Sequence, residues 1–299
     1  MKGHIVIPTF YQTRWTDDYK HLLAMIATEF KFKIEYSDGP DIAVDTDVVV
    51  VFATPHHMRP DNLSQLCQLD RSIKMIGYMK DIQFYDNPNI KDAYLRMFDR
   101  YDVILSGYNE MFKEWYSDHV GKMLHFPDFF GPYERYDLPF NKEAEKTCLV
   151  AGTVTKEVYP LRQYILENAK NGYVDYLPPP YTGHDYIGDK YAKLLNSYHC
   201  AVSTGSIFRV PVAKCFEIPA SGCLLICNTF DDLIDIGFEP MVHYVPINFS
   251  NATETIMRVV DDPVRYEHIR QEGTEFVRKN HSIRNRFETL KQVINESLN

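Results

Sequence analysis

The chain has 299 residues, of which 45% are hydrophobic and 14% aromatic, and its formal net charge is −9. Its length predicts two globular domains, and its apolar content excludes a disordered chain. Because an acidic chain lacks a general basic footprint and no segment has the ~20 apolar residues of a membrane span, we expect no nucleic-acid partner and no integral membrane segment.

Short apolar runs alternate with amphipathic segments through the first 130 residues. Strands are predicted at 4–10, 32–36, 48–53, 73–78, 102–106 and 123–126, and helices at 17–29, 63–69, 91–99 and 109–117. Alternation at this spacing is typical of a parallel sheet with crossover helices. The first run is interpreted as a strand and not as a signal peptide.

The same pattern restarts after a break. Residues 131–146 combine turn-forming and charged residues without periodicity, which predicts a linker. Strands follow at 147–151, 173–177, 200–203 and 223–227, with helices at 159–169, 189–197, 252–260, 264–280 and 281–298. The predicted organisation is a first domain over 1–130, a second domain over 147–280 and a C-terminal helix over 281–299. The predicted fold class is α/β, with two Rossmann-like doubly wound domains.

The six cysteines lie mostly in apolar strand or helix contexts, and none forms a Cys-x-x-Cys pair. This pattern is typical of reduced core thiols. We therefore expect a cytoplasmic protein.

The most informative stretch runs from Ser203 to Asn228 and has the pattern of a strand end, a polar loop, a helix, a glycine and a buried strand. Ligands of open α/β sheets bind beyond the carboxyl ends of the strands. The candidate binding residues near this strand end are Ser203, Thr204, Gly205, Arg209, Val210, Lys214 and Glu217. Their chemistry indicates a polyanionic ligand.

An earlier loop, containing Gly152, Thr153 and Thr155, lies between a predicted strand and a predicted helix. Its backbone N–H groups and hydroxyls could bind phosphate at the helix amino terminus. A glycine in such a loop also serves as a simple turn, and the loop is not a G-x-G-x-x-G fingerprint.

The segment Phe216-Glu217-Ile218-Pro219-Ala220-Ser221-Gly222 resembles the donor-binding signature of group 1 glycosyltransferases with the two-domain GT-B architecture. The similarity covers 147–290, and its order looks most like the spore-maturation CgeB-like branch. It continues at Phe238-Glu239, Tyr244-Val245-Pro246, Asp262-Pro263, Gly273 and His281-Ser282-Ile283-Arg284-Asn285-Arg286.

This resemblance implies two domains that face each other across an interdomain cleft, with the nucleotide-sugar donor on the second domain. The C-terminal helix would cross back to the first domain. The co-substrate would be a nucleotide-diphosphate sugar, with no further cofactor and no metal. The acceptor would be a hydroxyl of a glycan or another molecule.

The resemblance also implies roles for individual residues. Glu217 matches the family glutamate that binds the nucleotide ribose. Tyr159 and Arg162 resemble a family pattern at the first helix of the donor domain, where they would contact base or phosphate; the alternative is a core or a surface role for each. Arg209 stands where many group 1 enzymes carry a glutamate, so it could bind the diphosphate with help from Lys214. The alternative for Arg209 and Lys214 is pairing with nearby surface carboxylates.

Two residues of the first half are candidate catalytic bases. Asp81 follows the predicted strand 73–78, and His57, one of two adjacent histidines, follows the strand 48–53. A carboxylate or an imidazole could deprotonate the acceptor hydroxyl. The alternative for Asp81 is capping of a turn, and no third ligand at a suitable spacing supports a metal at the histidines.

Two other functions fit the same pattern. A non-catalytic two-domain protein that binds a nucleotide sugar or another ligand would show the same repeated α/β halves. A GT-B relative could also hydrolyse or isomerise a sugar nucleotide without an acceptor.

Overall fold

The computed structural model describes residues 2–9, 17–36, 45–52, 65–84, 87–179 and 186–297. The chain divides into two compact units. The first unit comprises Met1–Pro127 and Arg284–Asn299, and the second comprises Asp128–Ile283. None of the helices in the described ranges is both long and apolar enough to cross a membrane.

The first unit is built on a parallel sheet with the strand order β2-β1-β3-β4-β5-β6. Its strands are β1 (Gly3–Ile7), β2 (Lys33–Tyr36), β3 (Val48–Phe52), β4 (Lys74–Met79), β5 (Val103–Ser106) and β6 (Met123–His125). Every residue of β3 is buried, as expected for a valine-rich strand in a sheet covered on both faces.

The helices of the first unit follow the strands in alternation. They are α1 (Asp17–Phe30), α2 (Pro88–Arg100), α3 (Glu110–Trp115) and a 3₁₀ turn at Ser117–Lys122. At the start of α2, the Asn87 side chain accepts a hydrogen bond from the Asn89 N–H at 3.1 Å. Asparagine is a strong N-cap and proline is favoured at the first helical position, so this sequence begins a helix here.

The second unit contains a parallel sheet with the strand order β11-β10-β9-β7-β8. Its strands are β7 (Glu145–Ala151), β8 (Val174–Leu177), β9 (Tyr198–Val202), β10 (Leu224–Asn228) and β11 (Val245–Ile247). Strand β11 was not predicted, because its three residues give no periodic signal.

Helices surround this second sheet, and two separate apolar clusters pack within the unit. The helices are α4 (Tyr133–Tyr136), α5 (Pro160–Asn168), α6 (Asp189–Ser197), α7 (Lys214–Ala220), α8 (Asp231–Asp235), α9 (Ala252–Asp261), a 3₁₀ turn at Pro263–Tyr266, and α10 (Glu267–Asn280). The last helix, α11 (Ile283–Ser297), belongs to the first unit from Arg284 onward. The predicted α/β class with two parallel sheets is confirmed.

Residues 131–146, predicted to be a linker, lie in the second unit and contain α4. The Arg278 side chain donates hydrogen bonds to the backbone carbonyls of Tyr136 and Leu138 at 2.6 and 3.0 Å. Arg270 donates to the carbonyl of Asn141 at 3.2 Å. Arginines of α10 therefore hold this irregular segment in place, although the segment itself has no periodicity.

The order of the second sheet creates a switch point. Strand β8 pairs with one side of β7, and the chain then crosses to β9 on the other side of β7. Loops that leave β7 and β9 therefore diverge, which opens a crevice at their carboxyl ends. In the first unit the equivalent loops leave β1 and β3 and fall largely in 10–16 and 53–64, outside the described residues.

All six cysteines are free. Five of them are buried in the second unit, and Cys67 of the first unit is partly buried.

Candidate functional site

Gly152 is the first residue after β7, at the switch point. Its φ of +95° lies in the region that favours glycine, and its N–H donates to the Leu177 carbonyl at 2.8 Å. A Cβ built on Gly152 would lie 2.9 Å from the Lys214 Nζ and 3.8 Å from the Arg162 Nη1. The glycine therefore allows two cationic side chains to approach the same point of the backbone.

Arg162 lies in the first turn of α5, and only 1% of its surface is exposed. Its Nη1 donates to the Thr153 carbonyl at 2.7 Å, and its guanidinium carbon lies 4.1 Å from the centroid of the Tyr159 ring. Within the described part of the chain, its Nε and Nη2 have no hydrogen-bond partner. Burial lowers the pKa of Arg162, because the charged form loses its hydration.

We call Arg162 and Lys214, with Gly152 between them, the cation cluster. Lys214 is the first residue of α7, and the helix begins directly beyond the loop that follows β9. No described carboxylate lies within ion-pair distance of Arg162. Two like charges held beside one loop repel each other, and an anionic ligand would relieve that repulsion.

The loop after β9 forms the other side of the switch point. Ser203 and Thr204 are buried, and the Ser203 Oγ accepts a hydrogen bond from the Cys215 thiol at 3.4 Å. The Thr204 Oγ1 has no partner among the described residues. The Gly205 N–H donates to the Asn228 Oδ1 at 3.0 Å, which attaches the loop to the end of β10.

The same loop then turns sharply at Ser206 and Arg209, whose φ angles are +58° and +52°. Val210 is buried, and its N–H donates to the Gly205 carbonyl at 2.9 Å, whereas the Arg209 side chain is exposed. The structure places Arg162 beside Gly152 and Lys214. A diphosphate contact by Arg209 stays a prediction.

Glu217 lies on α7 and is buried, with its Oε1 accepting a hydrogen bond from the Tyr136 hydroxyl at 3.2 Å. Burial, and secondly the charge of Glu217, raises the pKa of Tyr191 well above its ordinary value. Sequence reasoning missed Tyr136 and Tyr191, because no motif connects either tyrosine with the glutamate. The predicted ribose contact of Glu217 stays a prediction.

Thr155 has a role in the backbone turn between β7 and α5. Its Oγ1 accepts from the Val158 N–H at 3.3 Å, and its carbonyl accepts from the Tyr159 N–H at 2.7 Å. The Val158 carbonyl in turn accepts from the Ile207 N–H at 2.9 Å. This last bond joins the two loops of the switch point.

A pocket of about 500 Å³ opens beyond the carboxyl ends of β9, β10 and β11. Neither Arg162 nor Lys214 lines it; Tyr159, which contacts the Arg162 guanidinium, connects the pocket with the cation cluster. Its walls are residues 159–161, Thr204 and Ser206, Asn228 and Thr229, and 246–249 with Asn251. The sequence analysis missed the residues after β10 and β11, although the polar residues directly after each strand could have indicated them.

Asp81 follows β4 in the first unit. The Tyr108 hydroxyl lies 3.1 Å from both the Asp81 Oδ1 and the Gln83 Oε1, so it can donate its proton to either. The Asp81 carbonyl accepts from the Tyr94 hydroxyl at 2.8 Å. Asp81 is therefore positioned at a strand end by two tyrosines, and His57 lies outside the described residues.

Residues 150–292 match the model of a protein family described as glycosyl transferase-like. This segment is just under half of the chain, and it includes the cation cluster, Glu217 and the pocket. No curated protein matches the chain.

Several solved structures share the fold. The structure of Anabaena HepE in complex with UDP and glucose has a TM-score of 0.68 and 8% identity, over 99% of this chain and 100% of that one. An α-glucosyltransferase in complex with UDP-glucose and DNA containing an abasic site has a TM-score of 0.61 and 11% identity, over 98% and 99%. Sucrose-phosphate synthase from Thermosynechococcus elongatus has a TM-score of 0.62 and 9% identity, over 99% and 98%.

At these identities the similarity establishes the fold, which is that of GT-B glycosyltransferase structures. The family match independently relates residues 150–292 to glycosyl transferase-like proteins. The assignment to the CgeB-like branch stays a prediction.

Proposed function

We propose that the protein is a glycosyltransferase that moves a sugar from a nucleotide-diphosphate sugar to a hydroxyl of a glycan or other acceptor. The observation that carries this proposal is the buried guanidinium of Arg162, which lies beside the lysine of the cation cluster and has two nitrogens without a hydrogen-bond partner among the described residues. A buried charged donor without a partner is costly, and a ligand that accepts its hydrogen bonds removes that cost.

A diphosphate suits this cluster better than a neutral ligand does. Arginine forms paired hydrogen bonds with phosphate oxygens, and lysine adds a compact positive charge. When the bond between sugar and diphosphate breaks, negative charge develops on the leaving phosphate. Cations already held in place would stabilise that charge without reorganising. In this proposal Arg162 and Lys214 neutralise the leaving group without a metal.

Glu217 would bind the ribose hydroxyls of the nucleotide. It lies on the same helix as Lys214, and the Tyr136 hydroxyl fixes one of its oxygens. A carboxylate is the group that accepts hydrogen bonds from ribose hydroxyls in other nucleotide-binding α/β folds.

The first unit would bind the acceptor, with Asp81 as the base in a transfer that inverts configuration. A carboxylate at a strand end can accept the proton of an attacking hydroxyl. Because the chain is acidic, a glycan or a small hydroxyl compound is a better acceptor than nucleic acid.

The test begins with the melting temperature of the purified protein in the presence of UDP, GDP, TDP, CMP and their sugars. A ligand that binds only the folded state raises the melting temperature. We expect one base to be selected. If none of these compounds shifts the melting temperature, the donor-site proposal is wrong and a non-catalytic protein with another ligand becomes the better explanation.

Product analysis then distinguishes the reactions. Incubation of the selected nucleotide sugar with and without candidate acceptors should release nucleoside diphosphate mainly when an acceptor is present. Equal release without an acceptor would identify a hydrolase, and a changed sugar nucleotide would identify an isomerase.

A further inference from the structure

None of the described residues that line the pocket beyond β9, β10 and β11 has a charged side chain. The pocket therefore differs from the neighbouring cation cluster in the ligand chemistry that it accepts. An ionised group placed there would lose hydration without gaining an opposite charge, which is unfavourable. A phosphate or a carboxylate is a poor occupant of this pocket.

Three asparagines, Asn228, Asn248 and Asn251, contribute side-chain amides to the lining of the pocket. The Asn228 Oδ1 accepts from the Gly205 N–H at 3.0 Å, and the Asn251 Oδ1 accepts from the Asn248 N–H at 2.8 Å. The Asn248 Oδ1 accepts from the N–H and hydroxyl of Ser250 at 2.8 and 2.7 Å. Among the described residues no hydrogen bond uses the NH₂ groups of these asparagines, so each can donate to a ligand, and the oxygens of Asn228 and Asn251 can each accept one more hydrogen bond.

The pocket lining also includes Thr204, whose hydroxyl differs from the asparagine amides in that it forms no hydrogen bond with the described residues. Only 3% of this residue is exposed, and its Oγ1 has no hydrogen-bond partner among the described residues. A buried hydroxyl without a partner is uncommon and costs free energy, unless a ligand group completes it.

The pocket also has an apolar wall. The Phe249 side chain is 53% exposed, and its ring packs edge-on against Tyr164 at a centroid distance of 5.6 Å. An exposed aromatic ring beside several amide donors fits a ligand that has an apolar face and hydroxyls around its edge. A pyranose ring has both features, because its hydroxyls extend around most of the ring. A nucleobase is planar and carries polar atoms on only part of its edge.

We propose that this pocket binds an uncharged pyranose, and that it selects neutral sugars over sugars that carry a carboxylate. The inference rests on the proposed glycosyl transfer. The pyranose has two possible sources, namely the donor sugar and a sugar of the acceptor, and their chemistry is the same.

The experiment compares affinities by titration calorimetry. The probes are UDP, UDP-glucose, UDP-glucuronate, and glucose added to the protein saturated with UDP; if another base is selected, its corresponding compounds are used. We expect the glucose-bearing nucleotide to bind at least about 5-fold more tightly than the glucuronate-bearing one, since the latter differs by a carboxylate. A gain from UDP-glucose over UDP identifies the donor sugar, and binding of glucose beside UDP identifies an acceptor sugar.

The variant Asn228→Asp keeps an oxygen for the Gly205 N–H, replaces the NH₂ donor with an acceptor oxygen and adds one negative charge. Its matched control is Asn87→Asp, because the Asn87 Oδ1 also accepts a backbone N–H but lies at an exposed helix start in the first unit. We expect Asn228→Asp to bind UDP as the wild type does and to lose about 5-fold or more of the affinity contributed by the sugar. Phe249→Ala, at an exposed side chain, should weaken the same component and should melt at the wild-type temperature.

The outcomes separate the two proposals. If UDP binds but neither the gain from UDP-glucose nor the binding of glucose beside UDP responds to the two pocket variants, the pocket proposal is wrong and the donor-site proposal stands. The same holds if, in the arm that responds to the variants, the glucuronate form binds as tightly as the glucose form. If no nucleotide binds but glucose binds in a manner sensitive to Asn228→Asp, the pocket proposal stands and the transferase proposal falls. Absence of binding by every probe overturns both.

Discussion

Replacing Arg162 with methionine should leave the ligand-free protein about as stable as before and should abolish most of its affinity for a nucleoside diphosphate. Methionine has a similar length, no charge and no hydrogen-bond donor. The substitution removes one charge-assisted hydrogen bond, to the Thr153 carbonyl, and one contact with the Tyr159 ring. It also removes two buried nitrogens that have no partner among the described residues.

The opposing contributions are similar in size. A hydrogen bond from a charged group contributes about 1.5–3 kcal/mol, and a cation–π contact about 0.5–2 kcal/mol. Each buried, unpaired donor costs about 1–3 kcal/mol. The free energy of unfolding should therefore change by less than about 2 kcal/mol, in contrast to the loss of about 3–5 kcal/mol when one partner of a buried ion pair is removed.

The effect on binding should be large because, in this proposal, the two Arg162 nitrogens that have no partner among the described residues both donate hydrogen bonds to the diphosphate. Loss of two charge-assisted hydrogen bonds corresponds to about 3 kcal/mol or more, which is about 100-fold or more in Kd. Arg162→Lys, which keeps the charge without the planar fork, should bind with intermediate affinity.

The free energy of unfolding is measured by urea denaturation of the ligand-free protein. The Kd is measured by calorimetric titration with the selected nucleoside diphosphate. Arg258→Met, at an arginine whose side chain is 54% exposed on α9, is the control and should change neither. A variant Arg162→Met that is more than about 3 kcal/mol less stable, yet binds the nucleotide with unchanged affinity, would show that Arg162 is a structural residue and refute the reasoning.

Three further predictions concern other parts of the molecule. Gly152→Ala should lose about 1–3 kcal/mol of stability because of its φ of +95°. It should also lose nucleotide affinity, because the added Cβ would displace Lys214. The control Gly172→Ala has a φ of +86° and no described atom within 4 Å of its added Cβ, so denaturation and titration should show a loss of stability alone. Asp81→Asn should keep the melting temperature and the nucleotide affinity but slow transfer by about 100-fold or more in a product assay, and an unchanged rate would exclude it as the base. Burial lowers the pKa of His199 to about 4 from 6.5, so the folded state favours the neutral ring. The unfolded state therefore binds more protons than the folded state between these pH values, and the free energy of unfolding decreases as the pH falls from 6.5 through 4. His199→Gln should therefore reduce the change in unfolding free energy across that pH range by up to about 3 kcal/mol. If plots of unfolding free energy against pH are parallel for variant and wild type, His199 is not the source of the pH dependence.

Much of the fold follows from local sequence patterns. The helix predicted at 189–197 has the bounds observed for α6, and most predicted strands differ from the observed ones by a few residues. These segments could be predicted because their apolar residues repeat with the period of the element that they form. Strand β11 and the packed segment 131–146 could not, since a three-residue strand has no period and the stability of the irregular segment depends on arginines more than a hundred residues away.

The candidate site was predicted less completely than the fold. Sequence reasoning selected Arg162 and Lys214, but it assigned the diphosphate mainly to Arg209 because that residue occupies a motif position. A motif position does not reveal exposure: Arg209 is exposed, whereas Arg162 is buried. The three asparagines of the pocket follow or flank strand ends, where polar residues are common for many reasons, so the sequence alone did not distinguish them.

The glycine after β7 explains why this site needs residues from distant parts of the chain. Arg162 comes from the helix that follows β7, and Lys214 from the helix that follows β9, and both reach the backbone at Gly152. In this parallel sheet β8 lies on one side of β7 and β9 on the other, and this change of side brings the amino ends of these two helices to one edge. The amino terminus of α5 already favours an anion, and the cationic side chains of Arg162 and Lys214 add to that potential at one point. The topology thus concentrates positive potential at one edge of an otherwise acidic protein, so loss of either cation should weaken anion binding more than the small change in net charge would suggest.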